Sequence, residues 1–187
     1  MLSLIKNKMK KFPLFFILLA ISSIYVNAQN SITLSAHQDF KLLAFGDDLG
    51  NKAGTLNFLV RAKHELKENN LGYVIYGLEI ENARLKDQYT RLGAFAGFTF
   101  MDVFDNYNLH ATPSIGAGYI NRQNKNLFSW SAALQLDYFI SDTVRLSVLN
   151  QLTQRTDLEY IYDDLTYRYS FFVGIEVKIF DLKKKKN

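Results

Sequence analysis

The sequence predicts an all-β fold, an eight-stranded antiparallel up-and-down β-barrel that crosses a membrane. Three observations support this prediction. The first 28 residues have the pattern of an export signal, the rest of the chain alternates apolar and polar side chains with a period of two residues, and the charges in the alternating segments share one face. The chain has no cysteine, which excludes disulfide scaffolds, thiolate metal sites and cysteine nucleophiles.

Residues 1–28 predict a secretory signal peptide. Four lysines precede an apolar run over 14–24, and residues 26–28 resemble a signal peptidase site. A retained membrane anchor is the alternative. It is less favoured, because the run is shorter than the roughly 20 residues of a membrane-spanning helix. We expect cleavage before Gln29. Cleavage leaves 22 − 4 = 18 basic residues against 18 acidic residues, and the net charge falls from +4 to zero.

The first half of the mature chain contains four alternating segments. In each segment, apolar side chains occupy one face of a predicted strand and polar or charged side chains occupy the other. The third, for example, sets Leu78 and Ile80 against Glu79 and Glu81. The four segments span residues 32–42, 55–65, 74–81 and 91–100.

The second half contains four more segments of the same kind. They span residues 109–119, 128–138, 144–155 and 167–179. The eighth is longer than the roughly 5–6 residues of an ordinary soluble strand and than the 9–11 residues that cross a bilayer. This length favours a membrane barrel.

The connections between the segments predict which end of the barrel faces the periplasm. We call the end at which the mature chain starts and finishes the near end, and the opposite end the far end. Connections at the near end are expected at 67–71, 101–106 and 140–143, and those at the far end at 46–54, 84–88, 121–126 and 156–164. Longer far-end loops match the asymmetry of outer-membrane barrels, whose short turns are periplasmic. Both termini are therefore expected in the periplasm.

The charged face decides which side of the sheet points inward. Lipid cannot solvate charge, so a membrane barrel turns this face toward its lumen, whereas a soluble lipocalin-like barrel, the main structural alternative, turns it outward. Aromatic residues near the strand edges predict interfacial girdles: Tyr119, Trp130, Tyr138, Tyr167 and Tyr169. The charged face comprises Asp39, Lys41, Arg61, Lys63, Glu65, Glu79, Glu81, Arg91, Asp137, Arg145, Arg155, Arg168, Glu176 and Lys178.

With this pattern, the chain resembles the small eight-stranded outer-membrane barrels of OmpA/OmpX type, in the form found in Bacteroidota. The junction between Ala28 and Gln29 resembles signal cleavage sites of that group, and 174–180, ending in Phe180, resembles the C-terminal assembly signal. The chain departs from the family where 181–187 follow, including a basic tail at 183–187. The resemblance implies a monomer in the outer membrane of a Gram-negative bacterium. Its partners would be outer-membrane lipid and the barrel-insertion machinery. No nucleic-acid partner is expected, because the chain is exported and loses its positive net charge with the signal peptide.

The lumen is expected to hold a structural ion-pair network. An eight-stranded barrel is just wide enough for side chains to fill it, so a continuous aqueous pore is not expected. The resulting hypothesis is a non-catalytic barrel with a structural or surface-interaction role and no cofactor. The predicted network comprises Arg61, Lys63, Glu65, Glu79, Glu81, Arg91, Asp137, Arg145, Arg168 and Glu176.

A lipid-modifying outer-membrane enzyme is the alternative hypothesis. Ser35, His37 and Asp39 share one face of the first strand, but neighbouring members lie about 6.6 Å apart along it, whereas nucleophile and base need about 2.6–3.2 Å. His64 is expected on the lipid face and His110 inside. Three scattered histidines predict no metal site. We therefore assign no catalytic or metal-binding residues.

The connection at 156–164 is the candidate for recognition at the surface. It combines acidic and aromatic side chains, which suit a cation, a sugar or a protein partner, although such loops are more often only solvated. Its candidate residues are Asp157, Glu159, Tyr160, Tyr162, Asp163 and Asp164.

Overall fold

The structure is a computed structural model that describes residues 31–181, except 48–49, 67, 86 and 163–166. The predicted signal peptide, its cleavage point, the basic tail and the acids Asp163 and Asp164 lie outside the described residues, as does the side chain of Tyr162. Within the described part of the chain, eight antiparallel strands pair in sequence order and close into a barrel. The predicted fold class is confirmed.

The strands surround a lumen, and each one pairs with its two neighbours in the barrel. Closure joins the first strand to the last, with Ser35 opposite Glu176 and a register shift between Ile32 and Thr33. The strands are β1 (Ser31–Asp39), β2 (Asn57–Glu65), β3 (Gly72–Leu85), β4 (Asp87–Phe100), β5 (Leu109–Arg122), β6 (Lys125–Phe139), β7 (Val144–Gln154) and β8 (Tyr167–Asp181).

The two faces of the sheet are reversed relative to a soluble barrel. On β2, Arg61 points into the lumen and is 2% exposed, whereas its neighbour Val60 is 41% exposed. The same contrast between buried polar and exposed apolar side chains recurs on every strand. An apolar exterior of this kind suits hydrocarbon and not water. The lipocalin-like alternative is therefore wrong.

Two polar side-chain pairs mark the far-end limit of the apolar exterior. The amide of Asn82 donates to Thr90 Oγ1 over 2.8 Å across β3 and β4, and the amide of Asn121 donates to Asn126 Oδ1 over 2.8 Å across β5 and β6. All four side chains project from the outer surface near the far end. The outward residues below them are apolar or aromatic, so the pairs mark where these hairpins leave the hydrocarbon.

The predicted girdle residues all lie on the outer surface. Tyr119, Tyr167 and Tyr169 are exposed toward the far end, where Trp130 packs against Tyr167 with 5.7 Å between ring centroids. Tyr138 is exposed toward the near end, close to the β6–β7 turn. Aromatic rings at both limits of the apolar band are typical of the two membrane interfaces.

The first strand ends earlier than the alternation predicts. Residues Phe40–Phe45 form the short helix α1, and the Asp39 carboxylate caps it by accepting from the amide of Leu42 over 3.1 Å. Aspartate is a preferred helix cap, and the turn allows Leu42 to enter the lumen. Lys41 is consequently exposed outside the lumen, so its assignment to the charged inner face is wrong.

The far-end connections are less uniform than predicted. The expected loops at 84–88 and 121–126 are wrong, because β3 and β5 continue almost directly into β4 and β6. At the second of these hairpins, Gln123 and Asn124 both have positive φ, as a two-residue type I′ turn requires. Longer separations in sequence remain between the end of β1 and the start of β2 and between the end of β7 and the start of β8. The latter contains the helix α2 (Thr156–Tyr162).

None of the helices in the described part of the chain has the length and apolar character needed to cross a membrane.

Candidate functional site

The lumen holds a charge-balanced set of buried ionisable side chains. Seven bases and seven acids are buried among the described residues, so their formal charges sum to zero. Burial of an ion is strongly unfavourable unless an opposite charge and hydrogen bonds compensate it. The buried bases are Arg61, Lys63, Arg91, Arg122, Arg145, Arg155 and Arg168, and the buried acids are Asp39, Glu65, Glu79, Glu81, Asp137, Asp157 and Glu176.

The near-end cluster contains Lys63, Glu65, Asp137, Arg145 and Glu176. Arg145 Nη1 lies 2.5 Å from Glu65 Oε1 and 2.7 Å from Glu176 Oε1. Lys63 Nζ lies 2.8 Å from Glu176 Oε2 and 3.7 Å from Asp137 Oδ2. Three acids face two bases, so this cluster carries a formal charge of 2 − 3 = −1.

The central cluster contains Arg61, Glu79 and Arg91. The Glu79 carboxylate accepts from Arg61 Nε over 3.0 Å and forms a second, short ion pair with Arg91 Nη1. Glycine on a neighbouring strand provides space, since a Cβ at Gly116 would lie 2.7 Å from Ser131 Oγ and 3.4 Å from Glu79 Oε1. Two bases face one acid, which gives a formal charge of +1.

Gln135 joins these two clusters of opposite net charge. Its Oε1 accepts from Arg61 Nη1 over 3.0 Å, while its Nε2 donates to Asp137 Oδ1 over 2.8 Å and to Glu176 Oε2 over 3.1 Å. A neutral amide can serve both sides because it carries a donor and an acceptor. The polar network is therefore continuous across both clusters.

The far-end acids are held in two different ways. Asp39 Oδ2 lies 3.3 Å from Arg168 Nη2, which is a direct ion pair. Glu81 instead accepts from two neutral donors, Asn57 Nδ2 at 3.0 Å and the Tyr89 hydroxyl at 3.2 Å. Glu81 thus takes part in the network mainly through hydrogen bonds.

Asp157 is buried at the base of α2 and is not a surface residue. It accepts from Arg155 Nε and Nη2 over 2.7 Å each and from Arg122 Nη1 over 2.9 Å. Burial alone would raise the pKa of Asp157, but the two guanidinium groups outweigh it and hold the pKa below its ordinary value. The expectation that Asp157 takes part in surface recognition is wrong, because its carboxylate is committed to these arginines.

Glu159 and Tyr160 do lie at the surface, as predicted. Both are exposed on α2, and Lys125 Nζ sits 3.4 Å from the centroid of the Tyr160 ring. A cation at this distance is within the range of a favourable cation–π contact. These three side chains form an exposed polar and aromatic surface beside the far-end hairpin of β5 and β6.

Apolar side chains fill the lumen between the ionic groups. The Phe95 ring lies 3.7 Å from the Arg61 guanidinium carbon, so apolar and ionic groups interdigitate. Except for Leu42, which α1 turns inward, the lumen residues occupy the same alternate sequence positions as the charged side chains of their strands. The alternation of the outward apolar residues therefore gave no signal for them. The three buried groups are Leu42, Ala83, Leu85, Tyr89 and Ile120 at the far end; Leu59, Leu149 and Phe172 in the middle; and Tyr73, Ile75 and Phe95 toward the near end.

The candidate catalytic residues do not assemble. Ser35, His37 and Asp39 are all buried on the inner face of β1, but His37 Nε2 contacts Ser147 Oγ at 3.1 Å, and Asp39 binds Arg168 and Leu42. His64 lies on the outer face, as expected, with Nδ1 2.7 Å from the Tyr76 hydroxyl. Among the described residues, no group of three or more potential ligands is placed to hold a metal ion.

Arg122 is an ionic residue that the sequence argument missed. It was expected in a loop, but it is the last residue of β5 and points inward, where it also donates to the carbonyl of Leu85 over 2.6 Å. A signal was present, since Arg122 continues the even-numbered polar positions that include His110, Thr112 and Ser114.

The fold is shared with solved outer-membrane proteins. No protein-family model and no curated protein matches the chain. The Yersinia pestis outer membrane protein Ail in a phospholipid nanodisc matches with a TM-score of 0.53 and 12% identity, over 82% of this chain and 100% of Ail. The crystal structure of Ail matches with a TM-score of 0.47, 12% identity and coverages of 81% and 99%. Neisserial surface protein A matches with a TM-score of 0.43, 11% identity and coverages of 80% and 97%.

At these identities the likeness concerns the fold alone. The comparison with Ail in a nanodisc agrees with the reversed faces described above, because the same architecture there lies in a phospholipid bilayer. The chain therefore has the fold of a small transmembrane β-barrel of the outer-membrane type.

Proposed function

We propose that the chain is a non-catalytic barrel of OmpA/OmpX type in the outer membrane of a Gram-negative bacterium, which holds a recognition surface outside the cell. The observation that supports this proposal is the filled lumen, in which seven buried bases balance seven buried acids. Such a network cross-links the strands and suits a rigid scaffold. It does not suit a conduit, which needs a wet and continuous path.

The proposed recognition surface lies on the two far-end helices. Phe45 at the end of α1 is 79% exposed, and Glu159 and Tyr160 of α2 lie on the outside beside Lys125. The exposed ring of Tyr160, with an acidic and a basic side chain beside it, can stack on and hydrogen-bond to a sugar or a protein surface. The proposal also holds that the barrel is inserted as a monomer and that the insertion machinery recognises β8.

Orientation is tested by labelling single cysteines on intact cells. The chain has no cysteine, so each variant carries a single reactive thiol. With a membrane-impermeant maleimide, the Tyr160→Cys variant should be labelled on intact cells. The Asp105→Cys variant, at the opposite end, should be labelled only after the outer membrane is permeabilised. The reverse pattern would overturn the proposed orientation, and recovery of unlabelled protein in the soluble periplasm would overturn the location.

The closed lumen is tested by conductance across a planar lipid bilayer. We expect no stable current from the inserted wild-type protein, while a large porin under the same conditions serves as the positive control. Insertion is verified separately by the mobility shift that folded barrels show on gels without boiling. Stable unitary currents from the inserted wild-type barrel would show that the lumen conducts and that the scaffold proposal is wrong.

A further inference from the structure

A carboxamide on the outer face of β7 lies inside the apolar band. Asn150 points outward and is half-buried, and it pairs in register with Leu134 of β6 and Phe171 of β8. The next outward residues along β7 are Val148 and Leu152, so apolar side chains surround the amide on all four sides. A polar group that faces hydrocarbon is costly unless a hydrogen bond compensates it. Asn150 therefore requires a hydrogen-bond partner on the outer surface.

Within the described part of the chain, only the oxygen of this amide has a partner. Asn150 Oδ1 accepts a hydrogen bond from the hydroxyl of Tyr169, the girdle residue that lies two positions closer to the far end than Phe171 on β8. Asn150 Nδ2 has no partner among the described residues, and it is not one of the polar atoms that are sealed from the surface. Its N–H groups can therefore reach an acceptor that arrives from the lipid side.

A lysine lies next to this tyrosine. Helix α1 packs on the outer face of β8, where the Phe40 ring meets the Phe171 ring edge-on with 6.5 Å between centroids. The helix thereby places Lys41 Nζ 5.9 Å from the centroid of the Tyr169 ring. Lys41 is exposed, and none of the salt bridges among the described residues includes it. A cation and a phenol at the far-end interface thus lie directly above an amide in the hydrocarbon.

We propose that this strip, formed by Lys41, Tyr169 and Asn150, binds an anionic lipid whose acyl chains are joined through ester or amide carbonyls. A lipid presents the complementary groups in the same order, since its phosphate lies outside, its carbonyl groups at the edge of the hydrocarbon and its acyl chains below. Lys41 donates to a phosphate oxygen, Asn150 Nδ2 donates to a carbonyl oxygen, and an acyl chain lies against the Phe171 ring. A free phosphate ion cannot make the second contact, because Asn150 is reached only through hydrocarbon.

Trp130 can report lipid binding at the strip. It is the only tryptophan of the chain, and its ring packs against Tyr167, which lies two residues from Tyr169 on the same face of β8. The full chain is folded in phosphatidylcholine vesicles that contain phosphatidylglycerol with brominated acyl chains. This lipid should quench Trp130 more strongly than brominated phosphatidylcholine at the same mole fraction. Unbrominated phosphatidylglycerol should restore the fluorescence, and glycerol 3-phosphate in the buffer should not.

An ether-linked phosphatidylglycerol tests the contact with Asn150, because it carries the same headgroup without carbonyl groups. It should displace the brominated lipid about fivefold less well than the ester-linked lipid, the factor expected for one neutral hydrogen bond. Asn150→Leu should remove this difference between the two lipids. The matched control Asn121→Leu changes an outward amide of β5 that is paired with Asn126 and should keep the difference.

Two further variants test whether Lys41 makes a specific contact or only adds to a charged surface. Lys41→Gln should lower the preference for phosphatidylglycerol over phosphatidylcholine about fivefold, the factor expected for one lysine at an anionic surface. Arg84→Gln removes an exposed base at the far end of β3, on another part of the outer face, and should change the preference less than twofold. A gel shift without boiling shows that each variant is folded.

Four results would overturn the proposal. They are an equal loss of preference in Lys41→Gln and Arg84→Gln, no preference for phosphatidylglycerol in the wild type, competition by glycerol 3-phosphate, and a difference between ester and ether lipids that survives Asn150→Leu. The assay needs only a folded barrel in a bilayer, so none of these results would affect the closed lumen or the orientation of the barrel.

Discussion

Replacing Glu79 by glutamine tests whether charge compensation holds the lumen together. Glu79 is the only acid of the central cluster, where it faces Arg61 and Arg91. Glutamine keeps the shape and one acceptor, but it leaves two buried guanidinium groups without a counter-ion and changes the buried charge from zero to +1. Removing one partner of a buried ion pair costs about 3–5 kcal/mol. We expect a loss of about 3 kcal/mol or more in the free energy of unfolding.

Urea unfolding from phospholipid vesicles measures this loss. Trp130 is the only tryptophan and lies on the outer face of β6, so its fluorescence reports transfer from lipid to water. With a denaturant slope of about 2 kcal/mol/M, a loss of 3 kcal/mol lowers the urea midpoint by about 1.5 M. A gel shift without boiling confirms that each variant is folded before the titration begins.

Two further variants show whether the effect arises from the surplus charge. Glu159→Gln removes an exposed acid and should change the free energy of unfolding by less than about 1 kcal/mol. Adding Arg91→Met to Glu79→Gln should recover part of the stability, because it removes one uncompensated guanidinium. A Glu79→Gln variant as stable as the wild type, or a double variant less stable than Glu79→Gln alone, would refute the reasoning.

Other residues give independent tests by the same unfolding assay. Leu134→Arg places a charge on the lipid face of β6 and should cost about 2–4 kcal/mol, whereas Asn121→Arg, above the apolar band, should cost at most about 1 kcal/mol; similar costs would contradict the assigned membrane boundary. Leu42→Ala removes the apolar side chain that α1 inserts into the far end and should cost about 2–5 kcal/mol, unless the lumen is not packed there. The pKa of Asp157 is lowered in the folded state, so the ionised carboxylate stabilises the fold. This contribution is complete above the ordinary pKa of an aspartate, about 4, and is lost as the pH falls below that value. Limited proteolysis of α2 should therefore increase at low pH in the wild type and be already high and independent of pH in Asp157→Asn; a wild-type profile that is flat across this range would contradict the assignment.

The strands and their faces were predictable because strand periodicity is local. Successive side chains of a strand point to opposite faces whatever the rest of the chain does, so Arg61 and Lys63 share a face with Glu65 by covalent geometry alone. The same argument placed His110 inside and His64 outside. It failed where the backbone left the strand conformation, at the Asp39 cap of α1 and in α2.

Only some partners of the ionic residues follow from strand pairing. Arg61 faces Glu79 and Arg145 faces Glu176 on neighbouring strands, but other contacts link strands that are not paired. Arg145 binds Glu65, which is 80 residues away in sequence, and Arg61 is linked through Gln135 to Glu176. Neither contact follows from a hydrogen-bonded strand register, because both cross the lumen. Asp157 was assigned to the surface for the same reason, since only the closed barrel brings Arg122 and Arg155 together at the base of α2.

The sequence by itself determined which residues share a face, that the charges lie together on one of the two faces, and that strands of this length suit a bilayer. Tertiary structure decided which bases the buried carboxylates share, that Glu81 instead accepts from two neutral donors, and where apolar side chains pack between the ionic groups. The physical reason is one of range. Alternation is set between neighbouring residues, whereas closure of the barrel brings eight strands around one axis, and only then do side chains far apart in sequence come within hydrogen-bond distance.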